Sequence, residues 1–142
     1  MKQSRRLFFI LALVSWMSVS AYAFDISLPP PQQSQAYQQF VKQPKSELSK
    51  LIYLLNRLKG ATGEVIYDGH HYEAGEAVRI TKDYLLKNYH KETADYWIKR
   101  YCYKSEAGQV ILVKAPDGES RPVSDVVLEE LTVLEKISTD RK

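Results

Sequence analysis

The chain has 142 residues, 44% hydrophobic and 26% charged, and the roughly 95 that follow its N-terminal leader and Pro/Gln-rich stretch are enough for one domain with a modest core and too few for two. Its formal charge of +3 comes from the first 23 residues, which hold Lys2, Arg5 and Arg6 and no acid; the remainder is neutral, so nucleic acid is excluded as a default partner. A single cysteine, Cys102, excludes an internal disulfide, so the fold must stand on its core.

Residues 1–23 read as an export signal. Lys2, Arg5 and Arg6 form a basic start, Leu7 to Met17 is apolar apart from Ser15, and Ala21-Tyr22-Ala23 supplies the small-x-small cleavage pattern. The apolar run is shorter than the ~20 residues of a spanning helix. Cleavage is therefore expected between Ala23 and Phe24, leaving no transmembrane segment, and no cysteine follows the run to accept a lipid.

Residues 24–45 read as a flexible Pro/Gln-rich segment. Pro29, Pro30 and Pro31 favour extended polyproline backbone, and six glutamines lie between Gln32 and Gln43. A helical stub over 35–41 is compatible with Tyr37, Phe40 and Val41 sharing a side, and Pro44 breaks it from the residues beyond.

A single domain is expected over 46–137, with a charged tail at 138–142. Leu48, Leu51, Ile52, Leu55 and Leu58 recur at helical spacing, and Lys59-Gly60 closes that helix. Glu64 to Tyr67, with β-branched Val65 and Ile66, fits a strand. Asp68-Gly69 makes a tight turn. A second helix, Glu73 to Asn88, would turn Ala77, Thr81, Tyr84, Leu85 and Tyr89 inward. Thr93 caps a third, whose core face is Ala94, Trp97, Ile98 and Tyr101.

Val110 to Val113 is an apolar run of strand length, which suggests cover on both faces. Pro116-Asp117-Gly118 turns the chain. Ser124 caps a last helix with Val127, Leu131 and Leu134 buried, and Val123 with Leu128 is placed as a hydrophobic staple. The expected fold is thus α+β and mostly helical. Its order is α-β-α-α-β-α, with a two-stranded ribbon pairing Glu64–Tyr67 to Val110–Lys114.

Several stretches together resemble the YfeK-like family of small exported Gram-negative bacterial proteins. They are Thr93-Ala94-Asp95-Tyr96-Trp97-Ile98, Ser105-Glu106-Ala107-Gly108, the β run, Pro116-Asp117-Gly118, and Tyr67-Asp68-Gly69 with Tyr72 and Glu76-Ala77. The resemblance spans about Ser46 to Leu134. It implies a periplasmic location and a fold, and no reaction, because the family has no established activity. This chain departs from it at Ile80-Thr81-Lys82-Asp83-Tyr84, where such proteins tend to read His-Leu-Arg-x-Lys, and its turn lacks an arginine.

Candidate chemistry is sparse. His70, His71, Glu73, Glu76 and His90 have metal-ligand types, but adjacent extended residues point opposite ways and no zinc spacing is present. No metal or cofactor is expected. Glu129 and Glu130 diverge by about 100° on a helix and read as a solvated face. Cys102 falls on an apolar helix side and reads as a small buried hydrophobe, with a reactive thiol or an intermolecular bridge as the alternative.

Binding residues are sought in two places. Tyr96, Arg100 and Tyr103 form a stripe at i, i+4 and i+7, of residue types enriched where proteins meet. Asp68, His71 and Tyr72 occupy the turn region. The expectation is a non-enzymatic binding or accessory module of the periplasm, taking an envelope protein or a small ligand. The alternative is a small hydrolase or metal-handling protein using the His70–Glu76 loop.

Overall fold

The computed structural model describes residues 24–140; the expected export signal over 1–23 and the last two residues of the tail lie outside them. A short 3-10 turn, Pro31–Gln33, precedes α1 (Gln35–Phe40) and α2 (Glu47–Leu58). The hairpin β1 (Glu64–Tyr67) and β2 (His70–Glu73) follows, then α3 (Ala74–Asn88) and α4 (Ala94–Tyr101). A second hairpin, β3 (Leu112–Lys114) and β4 (Ser120–Pro122), leads into α5 (Val123–Thr139). The fold is mixed α+β and mostly helical, as its periodicities imply.

Helix α2 is the centre. Ser46 opens it with a capping box: its hydroxyl accepts from Ser49 N–H at 3.0 Å, and Ser49 Oγ accepts from Ser46 N–H at 2.9 Å. Leu51, Tyr53, Leu54, Leu55 and Arg57 are all buried, so α2 hides more than one face. It packs against α1, α3, α4 and α5. Trp97 and Ile98 of α4, Leu85 of α3 and Leu131 and Leu134 of α5 complete this core.

The Pro/Gln-rich stretch is packed rather than free over much of its length. Ser34 caps α1, accepting from Tyr37 N–H at 3.2 Å. Ala36, Tyr37 and Phe40 then bury against α2, with the Phe40 and Tyr53 rings 5.4 Å apart. Two aromatics and one alanine at i, i+1 and i+4 suffice to dock a helix whose other residues are glutamines. Val41, expected on the same side, stays half in solvent.

The sheet has four antiparallel strands in the order β2-β1-β3-β4. The expected ribbon is its centre: Glu64 pairs with Lys114, Val65 with Val113 and Ile66 with Leu112. Two strands were not expected. Asp68 and Gly69 both take positive φ, 47° and 79°, as a two-residue hairpin turn requires, so the chain returns as β2 before α3 begins. The Ala115–Glu119 turn likewise returns β4 onto β3, with Pro122 ending that outer strand, where a missing N–H costs no ladder bond.

Only one face of the sheet lies on helices, which corrects the expectation of cover on both. Val113 is buried, whereas Leu112 is half-buried on the far side beside Ile66. A small second core gathers Ile26, Val113, Ala115 and Val126. Gly63 enters here because a Cβ would meet Lys114 O at 2.8 Å and Ile26 Cγ2 at 3.2 Å.

The helix ends differ from expectation in two places. Pro122, not Ser124, stands at the N-cap of α5, so Val123 and buried Ser124 lie within the helix and no staple forms. At the far end α5 continues through Thr139, with Ile137 packed on the main core, so residues 138 and 139 are helix rather than tail.

Candidate functional site

Strand alternation decides what the sheet offers its helices. Val65, Tyr67, Tyr72 and Val113 share the inner face, while Glu64, Ile66, His71 and Lys114 share the outer one. Bounded by the inner face and by α2, α3, α4 and α5 lies a cleft of about 750 Å³, whose floor is made of core residues such as Leu54, Ile98 and Val127. Val65, Tyr67 and Tyr72 form one wall, and Ala77, Ile80, Thr81 and Tyr84 of α3 the other. Trp97 and Tyr101 of α4 line it as well.

Helix α3 lines the cleft with both buried and open residues. Its buried residues are Ala74, Val78 and Leu85, of which Ala74 and Val78 also border the cleft, as does the Ala77–Thr81–Tyr84 row expected to be core. Ile80 and Tyr84 are each 44% exposed, and Tyr67 is 37% exposed, so large apolar side chains stand open at the mouth. From there an aromatic ladder runs inward: the Tyr84 and Tyr101 rings lie 5.5 Å apart and the Tyr101 and Trp97 rings 5.1 Å apart. Trp97 is fully buried, and its indole N–H has no hydrogen-bond partner among the described residues.

Every charged residue lining the cleft comes from one short segment: Arg100, Lys104 and Glu106. Arg100 lies 5.5 Å from the Tyr101 ring centre and Lys104 5.3 Å from that of Tyr103, both within cation–π range. Tyr101 and then Tyr96 beside it raise the Arg100 pKa further. The segment is fixed by its own pairing, Lys104 bridging Val110 and Gly108 turning at φ 83°. Ser105 Oγ then donates to the Asp68 carboxylate, tying the segment to the β1–β2 turn.

Of the six residues singled out in the sequence, Arg100 and Tyr72 meet in this cleft. Tyr96 and Tyr103 are exposed beside it and do not line it. Asp68 is engaged by Ser105. His71 points away on the outer face, its Nδ1 3.1 Å from Glu64 Oε2. Val65, Tyr67, Ala77, Ile80, Thr81, Tyr84, Tyr101 and Lys104 were not singled out as site residues. Their signal was an apolar spread on α3 wider than one core contact uses, running through Val78, Ile80, Tyr84, Leu85 and Leu86.

Of the remaining reactive types Cys102 borders the cleft, and the carboxylates are engaged elsewhere. Burial pushes the Cys102 thiol up to about 12, so it stays protonated and unreactive at neutral pH. Glu130 is only partly solvated: its carboxylate accepts from Arg57 Nε at 2.9 Å, and that guanidinium is buried. Glu129 pairs instead with Arg121. Glu73 is the N-cap residue of α3, Glu76 lies in its first turn, and no three His, Cys, Asp or Glu side chains converge among the described residues. Comparison with protein-family models, curated proteins and solved structures finds no match.

Proposed function

We propose that the chain is an exported, non-enzymatic binding module of the cell envelope, and that the cleft between the sheet and α3–α4 is its ligand site. The observation that carries this is the cleft itself. Its volume falls within the roughly 300–1,000 Å³ of small-molecule sites, and its walls are apolar with a few polar groups gathered at one place. Ile80, Tyr84 and Tyr67 stand open there, a clustering of large apolar side chains that marks interaction surfaces.

Export is supported by the order of basic start, apolar run and Ala21-Tyr22-Ala23, and by the YfeK-like resemblance. Phe24, the residue after the expected cut, packs on the second core and lies against Arg121, so a cut further along the chain would remove packed residues. The one thiol lining the cleft is held protonated, which suits binding better than nucleophilic chemistry.

The test is titration of the processed protein with the neutral apolar fluorophore N-phenyl-1-naphthylamine. A saturable, blue-shifted rise in emission is expected, and Thr81→Trp, which partly fills the cleft from α3, should weaken it while leaving the circular dichroism spectrum intact. Emission that never saturates, or that is unchanged in the filled variant, would contradict the assignment.

A further inference from the structure

We infer that the cleft takes a single-chain amphiphile with an acidic headgroup, its tail along the α3–sheet walls and its head against Arg100 and Lys104. This rests on the cleft being the ligand site and adds the chemistry of the ligand.

The argument begins with charge asymmetry. The lining residues gather their ionised groups at one end of an otherwise apolar channel: Arg100, Lys104 and Glu106 of the 100–106 segment, with the Asp68 carboxylate bonded to Ser105 beside them. Some bases of the fold are paired with acids, Arg57 with Glu130, Lys99 with Asp95 and Arg121 with Glu129, and others, such as Lys59, Lys87 and Lys114, have no ion pair among the described residues. Neither Arg100 nor Lys104 has a carboxylate within ion-pair distance among the described residues; each rests on a tyrosine ring instead. A ring steadies the cation without neutralising it, so both remain able to meet an incoming anion. The neighbouring apolar wall displaces water, which strengthens that attraction relative to one in open solvent.

The alternatives fit less well. A wholly apolar ligand would leave the charged end unused. A peptide would bring amide groups needing partners, which the face of β1, paired on both sides by β2 and β3, does not supply; the nearest free backbone edge lies on β2. An alkyl chain needs no hydrogen bonds, and its head needs the two bases alone. The Ser105–Asp68 bond holds the segment against the sheet, so this end is positioned before a ligand arrives.

Trp97 is the only tryptophan outside the first 23 residues, so its emission reports on the cleft without a label. The processed protein is titrated with dodecanoate, dodecyl phosphate and dodecyltrimethylammonium, each below its micelle concentration. Either anion should bind at least about tenfold tighter than the cation, roughly one charge-assisted contact's worth, and the tighter anion identifies a carboxylate or a phosphate head. The double variant Arg100→Gln with Lys104→Gln should lose that preference with its circular dichroism spectrum unchanged. Should it lose its fold, Lys104→Glu at an exposed position supplies the same comparison. Equal binding of anions and cation, or a preference that survives the variants, would overturn the headgroup assignment and leave the cleft reading standing. A parent protein that binds no neutral fluorophore would defeat the cleft reading, and this inference with it.

Discussion

Trp97 joins core and cleft in one side chain. It is 1% exposed, at the inner end of the Tyr84–Tyr101 ladder. Trp97→Ala should cost ~3–5 kcal/mol, the usual penalty for emptying a buried aromatic site; a urea midpoint equal to the parent's would place the ring outside the core. Arg57 presents a different risk, because a buried cation is tolerated only while its partner is ionised and in reach. Glu130→Ala leaves that guanidinium uncompensated, and a loss of ~3–5 kcal/mol is expected in the same measurement. The wide apolar spacing of α2 said nothing of this pair, since Arg57 and Glu130 are far apart in sequence and each looks like an ordinary surface residue. Only the packing of α2 on α5 brings them together.

At the scale of elements, α2 and the Thr93 cap of α4 were legible because one strong periodicity or one capping residue determines each. Thr93 Oγ1 does accept from Tyr96 N–H, at 3.2 Å. The two outer strands were not legible. His70–Glu73 and Ser120–Pro122 lack β-branched runs, and each forms because a turn returns it to a strand that already has a hydrophobic face. Asp68-Gly69 did announce a hairpin, but the polar residues after it also suit the first turn of a helix, and that reading displaced the strand. The cleft was harder still. Along it α3 sets open Ile80 and Tyr84 beside buried Ala74 and Val78, and a one-dimensional period cannot tell a core residue from an open one.

One joint between elements is pH-sensitive. The Ala94 N–H donating to Glu47 at 2.9 Å, across from α2 to the start of α4, holds that carboxyl below its ordinary value of 4.5; Arg121 does the same for Glu129. The fold binds these protons less tightly than the unfolded chain, so their stabilisation is present at neutral pH and is lost as pH falls through the lowered values. Cys102 has the opposite sign. Raised from 9.0 to about 12 by burial, it adds stability that is full below 9.0 and declines as pH climbs toward 12. Cys102→Ala should therefore flatten the alkaline limb of a stability–pH curve and leave the acid limb in place, whereas an unchanged alkaline limb would show that the thiol ionises freely in the fold.

For the whole molecule, the N-terminal segment and the sheet form one unit, since Thr62 N–H bonds to Ile26 O at 3.0 Å and Phe24 packs beside Arg121. Protein recovered from the periplasm should accordingly have an intact mass beginning at Phe24, and a mass retaining Met1 would rule out processing there. The central claim concerns the inner face of the sheet, and amide chemical-shift mapping tests it most directly. Labelled protein titrated with N-phenyl-1-naphthylamine should show its largest saturable shifts at Val65, Tyr72, Ala77, Thr81 and Tyr101, with Ile66, His71 and Leu112 on the outer face little changed. Shifts concentrated on that outer face, or scattered without saturation, would contradict the account.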